Sequence, residues 1–259
     1  MNIGNARVVF RHRSTMDVLD LAARFLVHHR APFLALSALV LLPSWVLSLI
    51  IVRNASFEAG AVAALGLAAV ADLPFTVLAS RLVFEERVPL TSVLGDALRA
   101  LPRLVLARAV QAVAFVAGLS ACGLPGIWLG VMMVFTCEVV ALEKTPVFQI
   151  FTRCNRLVSG QFGDAFIAWF WLLAIQGLAL VLVDYGGRHV LRDLLQVTPP
   201  SSMFDDPKSL LALTGVFLIV PYTAVARLLS YLNVRTRSEG WDIQARFVTI
   251  AQRLAGSGS

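Results

Sequence analysis

The sequence predicts an all-α membrane protein: a polytopic bundle of about six transmembrane helices, with amphipathic interfacial helices before the first, third and fifth spans. Three observations lead to this prediction. The 259 residues are 58% hydrophobic with a mean hydropathy of +0.77, above the usual range of soluble domains. Several apolar runs approach the roughly 20 residues that cross a bilayer as a helix. Basic residues also alternate in density between successive loops.

The apolar runs divide the chain into three regions. Residues 1–31 form an N-terminal segment with an interfacial helix, residues 32–232 form the transmembrane domain, and residues 233–259 form a charged helix with a flexible GSGS tail. Proline or glycine interrupts several spans, which membrane helices tolerate when neighbouring groups satisfy the freed backbone. The predicted spans are residues 32–52, 59–83, 104–122, 124–142, 165–184 and 209–232.

The distribution of Lys and Arg predicts the orientation. Of the 22 basic residues, only Arg53, Arg188, Arg192 and Lys208 fall in the loops on one side. The positive-inside rule therefore places both termini in the cytoplasm. The same flanks account for the net charge of +6, so the basic surplus calls for contact with the membrane surface and not with nucleic acid.

Three amphipathic segments precede the odd-numbered spans, at residues 14–30, 90–103 and 145–162. In the first, Ser14 and Asp17 match a helix-start pattern, and Val18, Ala22 and Phe25 fall on one face. Helices of this kind lie in the headgroup plane with the apolar face down. The simplest architecture is three units, each with one interfacial helix and two spans.

No motif of a soluble enzyme is present in the sequence. Cys122, Cys137 and Cys154 form no C-x-x-C pair, so neither a disulfide framework nor a metal site is predicted, and no cofactor is expected. Patterns such as G-x-S-x-G, H-E-x-x-H and the phosphate-binding P-loop are missing. The sequence therefore favours a protein without catalytic activity.

Asp72 is the most unusual residue because it lies near the middle of the second span. A carboxylate at this depth is costly and is first interpreted as a functional site. An alternative is structural: Asp followed by Pro74 is also a helix-start pattern, so Asp72 would cap the inner half of a broken span or pair with another charge.

Arg108 and Glu138 lie at similar depths near the cytoplasmic ends of the third and fourth spans. They are predicted to form a buried ion pair, which would act as a structural clamp. With Asp72 they form the candidate intramembrane polar site.

The stretch after the last span, YLNVRTRSEGWDIQ, is abruptly charged. Glu239 and Asp242 are spaced to reach Arg235 and Arg237 along a helix. One interpretation is a self-paired helix that extends the sixth span. The other is a docking surface for a cytoplasmic or membrane partner protein, formed by these four residues.

Two segments resemble a known bacterial family. In residues 139–166 the pattern is an acidic residue, an arginine, a glycine and an aromatic residue, here Glu143, Arg156, Gly160 and Phe162. The closing pattern, a tyrosine, R-x-R and E-G-aromatic-D, begins at Tyr231. Both are similar to the membrane domain associated with glycerophosphoryl diester phosphodiesterases and its freestanding relatives. Asn233 departs from this pattern, because an aspartate often stands there.

The resemblance implies a multi-pass fold in the bacterial inner membrane, and no established activity for freestanding members. The catalytic half of those phosphodiesterases has no counterpart in this sequence. The predicted function is therefore a non-enzymatic scaffold or subunit of a membrane complex. The alternatives are a transporter or lipid-handling protein with a polar site around Asp72, and an intramembrane enzyme that acts on a lipid headgroup.

Overall fold

The computed structural model describes residues 14–85, 88–143, 145–205 and 208–238, which are almost entirely helical. Ser14 and Asp17 form the predicted capping box at the start of α1, with both backbone-to-side-chain hydrogen bonds at 3.2 Å. The helices are α1 Thr15–His28, α2 Arg30–Asn54, α3 Phe57–Leu82, α4 Leu90–Cys122, α5 Leu124–Met132, α6 Thr136–Leu142, α7 Val147–Ser159, α8 Phe162–His189, α9 Leu210–Leu218 and α10 Val220–Ser238; a π-helical turn, Val190–Leu194, extends α8.

The six predicted spans are confirmed. The described residues hold six helices long and apolar enough to cross a membrane, so this is a multi-pass membrane protein. Two of them combine shorter helices: α5 and α6 form the fourth span, and α9 and α10 form the sixth. The spans are Arg30–Asn54, Phe57–Leu82, Leu90–Cys122, Leu124–Leu142, Phe162–Leu194 and Leu210–Ser238.

The predicted amphipathic segments differ in form. Residues 14–30 and 145–162 contain the separate helices α1 and α7, each with one buried face. Residues 90–103 instead form the first part of α4, which continues into the third span through Pro102. Proline removes one backbone hydrogen bond, but the surrounding Leu, Ala and Arg residues favour a helix, and the chain does not break there.

The fourth and sixth spans are interrupted inside the bundle. At Met133–Phe135 the backbone tightens, and the amides of Val134 and Thr136 donate to carbonyls three residues earlier, at 3.2 Å. In the sixth span Ile219 separates α9 from α10, and Pro221 lies in the first turn of α10, where its missing N–H costs no helical hydrogen bond.

Even-numbered spans form the interior, and odd-numbered spans form the periphery. The share of residues buried within the protein was compared over the most apolar stretch of each span. It is 56% in span two, 67% in span four and 61% in span six. The values for spans one, three and five are 17, 17 and 11%. The order of one outer and one inner span therefore occurs three times. The predicted unit of one interfacial helix and two spans is not met in the second unit, where residues 90–103 are part of α4. The centre is formed by α3, α6 and α10.

Glycine allows close backbone contact within all three outer–inner hairpins. In the first, a Cβ atom at Gly60 of α3 would lie 3.0 Å from the backbone nitrogen of Val52 in α2. A Cβ atom at Gly118 of α4 would lie 2.7 Å from the backbone nitrogen of Gly126 in α5. In the third hairpin, a Cβ atom at Gly215 would lie 2.9 Å from the Cα of Leu180. Small residues are the usual means by which membrane helices approach closely, because no hydrophobic effect drives helices together in lipid.

Candidate functional site

Asp72 lies in the interior and pairs with arginine side chains from two other helices. Its Oδ2 is 2.5 Å from Nη2 of Arg227 on α10 and 3.5 Å from Nη2 of Arg108 on α4. The prediction that Asp72 caps a broken helix is wrong, because α3 continues without a break from Phe57 to Leu82. The alternative of structural pairing agrees with these contacts.

Glu138 is fully buried at the start of α6 and also pairs with Arg227. The distance from Arg227 Nε to Glu138 Oε1 is 2.6 Å. The direct pair predicted between Arg108 and Glu138 is therefore replaced by a bridge in which Arg227 lies between the two carboxylates. Arg108 instead donates to the side chain of Gln111 at 3.0 Å and approaches Asp72.

We call Asp72, Arg108, Glu138 and Arg227 the central cluster. The structure brings together all three predicted members of the intramembrane site. Arg227 is the residue that sequence analysis did not single out, because it was counted among the basic residues of the cytoplasmic flank. Its position inside the predicted span 209–232, within the apolar run TAVARLLSYL, was the signal that could have identified it.

The central cluster is electrically balanced, with two carboxylates and two guanidinium groups. The three inner spans contribute Asp72, Glu138 and Arg227, and the outer α4 contributes Arg108. Each charge would be very costly in an apolar interior without a partner. The arrangement therefore ties the inner spans together, and removal of one member leaves an uncompensated charge.

Some hydrogen-bonding capacity of the central cluster is not used by protein groups. Asp72 Oδ1, Arg108 Nε and Glu138 Oε2 are buried and have no hydrogen-bond partner among the described residues, and Arg227 Nη2 contacts Asp72 without hydrogen-bond geometry. Two donors and two acceptors of this kind are the groups on which a polar ligand or a bridging water would bind.

The neighbouring polar groups link the central cluster to the interruption of the fourth span. Gln111, which accepts from Arg108, donates to the carbonyl of Met133 at 3.4 Å. The hydroxyl of Thr136 donates to the same carbonyl at 2.7 Å. Side chains thus satisfy a backbone oxygen at the interruption, as the apolar interior requires.

A second group of charges lies where α6, α7 and α10 meet at one end of the bundle. We call it the rim cluster: Glu143, Arg153, Tyr231 and Arg235. Arg153 donates to both carboxylate oxygens of Glu143, at 2.6 and 2.9 Å, and the Tyr231 hydroxyl donates at 2.6 Å. Burial opposes ionisation, but these hydrogen bonds hold the pKa of Glu143 below its usual range.

The two arginines of the predicted docking surface contact the bundle. Arg235 donates to the Tyr231 hydroxyl at 3.1 Å and lies 3.8 Å from Glu143. Arg237 donates to Gln161 at 2.8 Å and pairs with Asp164 at the start of α8. Glu239 and Asp242 lie outside the described residues, so their pairing with these arginines stays a prediction.

Two further observations concern chemistry at these sites. Burial raises the pKa of the Cys154 thiol on α7 to about 12, so this cysteine is not an activated nucleophile. Within the described residues, no three His, Cys, Asp or Glu side chains are grouped as a metal site would require.

Comparison with protein-family models, with curated proteins and with solved structures finds no match. The resemblance to the phosphodiesterase-associated membrane domain stays a prediction.

Proposed function

We propose that this protein is a non-enzymatic scaffold or subunit of a membrane complex. The observation that carries the proposal is the Arg227 bridge, which joins Asp72 on α3 to Glu138 on α6 at the centre of the bundle. A balanced set of buried charges that ties the inner helices together favours one rigid arrangement of those helices. A rigid bundle suits a protein that holds partners in place.

The end at which α2 begins and α3 ends is proposed as the cytoplasmic face. We call it the basic end. The positive-inside rule supports this orientation, and a bacterial inner membrane with both termini in the cytoplasm is its simplest setting. In that orientation α1 and α7 lie at the membrane surface, with their buried faces against the bundle and not against lipid as an isolated interfacial helix would have them.

The basic end supplies a rigid platform for a partner. Arg237 connects α10 to Asp164 of α8, and Arg235 connects α10 to Glu143 at the end of α6. Ser238, the last described residue, is therefore held at a fixed position, and Glu239 and Asp242 follow it in the sequence. We propose that a cytoplasmic or membrane protein docks on this segment and on the adjoining arginines.

The test is isolation of the tagged full-length protein from its native membrane in mild detergent, with mass spectrometry of the retained proteins. We expect a stoichiometric partner to copurify with the native chain and to be lost from the variant Glu239→Ala/Asp242→Ala. That variant leaves the contacts of Arg235 and Arg237 with the bundle unchanged, so the loss would be due to the two acidic side chains. Retention of every partner by the variant would contradict docking on this segment.

Asp164→Ala separates docking from positioning. It removes the partner of Arg237 on α8 but leaves all four predicted docking residues in place. If Arg237 only positions the segment, Asp164→Ala and Arg237→Ala will weaken partner capture equally. If Arg237 contacts the partner itself, only Arg237→Ala will do so.

The alternative function is a transporter or lipid-handling protein with a polar site at the central cluster. The unpaired polar atoms at Asp72 and Glu138 favour it, and so does the interruption of the fourth span, which ends three residues before Glu138. Discontinuous membrane helices form the substrate and ion sites of many transporters.

Replacement of the whole central cluster distinguishes the two functions. A variant with Asp72→Leu, Glu138→Leu, Arg108→Met and Arg227→Met removes every charge and leaves none unpaired. A scaffold that uses these residues only as a clamp will fold and still capture its partner. A transporter would fold but lose a solute or lipid that copurifies with the native protein.

A further inference from the structure

An apolar groove lies on the lipid-facing side of the first hairpin. The α3 helix forms its floor with Val70 and Pro74, α2 forms one wall with Val40 and Ser44, and α4 forms the other with Ala97 and Leu98. Its volume is about 170 Å³. The Ser44 hydroxyl donates to the carbonyl of Val40 at 2.7 Å, so the one polar side chain of the set is already satisfied.

The groove opens towards the hydrocarbon of the bilayer. Its α4 wall includes Leu98, which is 65% exposed, and the α2 and α4 spans are both peripheral. In lipid no hydrophobic effect favours the filling of such a groove, but an unfilled slot forfeits dispersion contacts along its whole lining. Dispersion contacts with the lining therefore favour occupation of the groove by an apolar group from the surroundings.

The dimensions fit a hydrocarbon chain. Packed cavities of about 150 Å³ accept a ring of six carbons, whereas a helix with its side chains is about 10–12 Å across. The groove therefore admits part of one chain or a single side chain, and not a helix.

The depth matches one leaflet. Val40 is ten residues from the start of α2, and Pro74 is eight residues from the end of α3. At 1.5 Å per residue these lie about 12–15 Å from the basic end, within the hydrocarbon half-thickness of about 15 Å. A lipid whose chain occupies the groove would have its phosphate near the basic end.

Charge at that end selects the headgroup. Arg30, the first residue of α2, is exposed, and Arg81 in the last turn of α3 is partly exposed beside Asp96. We infer that the groove binds one acyl chain of an anionic phospholipid from the leaflet at the basic end, with Arg30 near the phosphate. This site is separate from the central cluster and does not depend on the scaffold function.

The experiment uses the full-length protein in vesicles of phosphatidylcholine that contain a small fraction of phosphatidylglycerol with a diazirine in its acyl chain. After illumination, mass spectrometry locates the crosslinked residues. We expect labelling concentrated on the peptides that contain Val40, Val70 and Leu98. Even labelling along all peripheral helices, or no lipid attached to these peptides, would overturn the inference.

Filling variants test the groove itself. Val70→Phe places a ring in the floor, and Leu98→Phe narrows the wall from an exposed position that folding should tolerate. Each should lower labelling of the groove peptides by roughly tenfold, which corresponds to about 1.4 kcal/mol. Val62→Phe and Leu106→Phe are the matched controls on the same two helices, at sites 70 and 52% exposed outside the groove lining, and should leave labelling unchanged. Labelling unaffected by both filling variants would contradict the site.

The headgroup requirement is tested with the same diazirine chain on phosphatidylcholine. Phosphatidylglycerol should label the groove more strongly, and Arg30→Gln should remove that difference without moving the crosslinked positions. Equal labelling by both lipids in the native protein would overturn the selection of an anionic headgroup.

Discussion

Arg227 makes the contacts that decide how the inner spans are held together. Its guanidinium group touches the carboxylates of Asp72 and Glu138, which come from different helices. The fixed planar fork of an arginine can contact two carboxylates at once, which the compact ammonium group of a lysine does less well. Because these atoms are buried, their pairing stabilises the protein mainly by leaving no buried charge without a partner.

Replacement of Arg227 by Met should destabilise the protein by about 3–5 kcal/mol, because Asp72 and Glu138 would remain buried without a cation between them. Arg227→Lys should be less damaging. Unfolding in mixed micelles with increasing denaturing detergent, followed by circular dichroism, measures the difference.

The full apolar replacement of the central cluster is the control for this prediction. It should recover most of the stability lost in Arg227→Met, because no charge is left unpaired. An Arg227→Met variant as stable as the native protein would show that the bridge contributes nothing.

Glu143 should make stability depend on acidity. Its pKa is lower in the folded protein than in the unfolded chain, so its contribution is present above a pH of about 4.3 and is lost as the pH falls through the folded value. Glu143→Gln should cost about 1–2 kcal/mol at neutral pH, because charged hydrogen bonds from Arg153 and Tyr231 are weakened. Detergent unfolding of both proteins between about pH 3 and pH 7 measures this.

The variant and the native protein should converge in stability at the acidic end of that series. A constant difference at every pH would mean that Glu143 acts through packing and not through its charge.

At the scale of helices, the hairpins depend on close contact between helix backbones. The interruption of the fourth span depends on side chains that donate hydrogen bonds to a backbone carbonyl. Gly118 and Gly126 let α4 and α5 approach until their backbones touch. At the interruption of the fourth span, Gln111 and Thr136 donate to the carbonyl of Met133. Both features involve only neighbouring residues, and both are needed for an outer and an inner span to pack as one hairpin.

Gly118→Ala should destabilise the second hairpin by about 1–3 kcal/mol, because the new Cβ would lie 2.7–2.8 Å from backbone atoms of Gly126 that cannot move aside easily. The matched control is Gly95→Ala on the same helix. A Cβ there meets nothing within 4 Å, and alanine should raise stability by up to about 1 kcal/mol. Equal effects at the two sites, in the same unfolding measurement, would contradict the close-contact argument.

For the whole molecule, three outer–inner hairpins place the charged inner residues at the centre and most of the described basic residues at one end. The same arrangement puts α1 and α7 beside the basic end and leaves the groove open on the flank of the first hairpin. Orientation in the membrane then decides which compartment meets the proposed docking segment.

Cysteine labelling tests this orientation. In a Cys122→Ser background, where Cys137 and Cys154 are buried, Asn54→Cys should react with an impermeant maleimide in intact cells. Ser159→Cys should react only after the cells are opened, because residue 159 is the exposed last residue of α7 at the basic end. The reverse pattern would invert the topology and place the docking segment outside the cell.

The sequence alone determined the number of spans, the approximate limits of four of them, the start of α1 and the unusual burial of Asp72, Arg108 and Glu138. The third span begins at Leu90 and not at residue 104, and the fifth continues to Leu194 and not to residue 184. The correct predictions follow from local composition, because apolar length, capping residues and charge inside a span can be recognised without knowledge of neighbours. Tertiary structure decided which charge pairs with which. Arg227 and Glu138 are 89 residues apart in the chain, and no local pattern shows that α10 inserts its arginine between the two carboxylates. It also decided that spans two, four and six are interior. Contact with other helices and contact with lipid both favour apolar side chains, so hydropathy does not distinguish an inner span from an outer one.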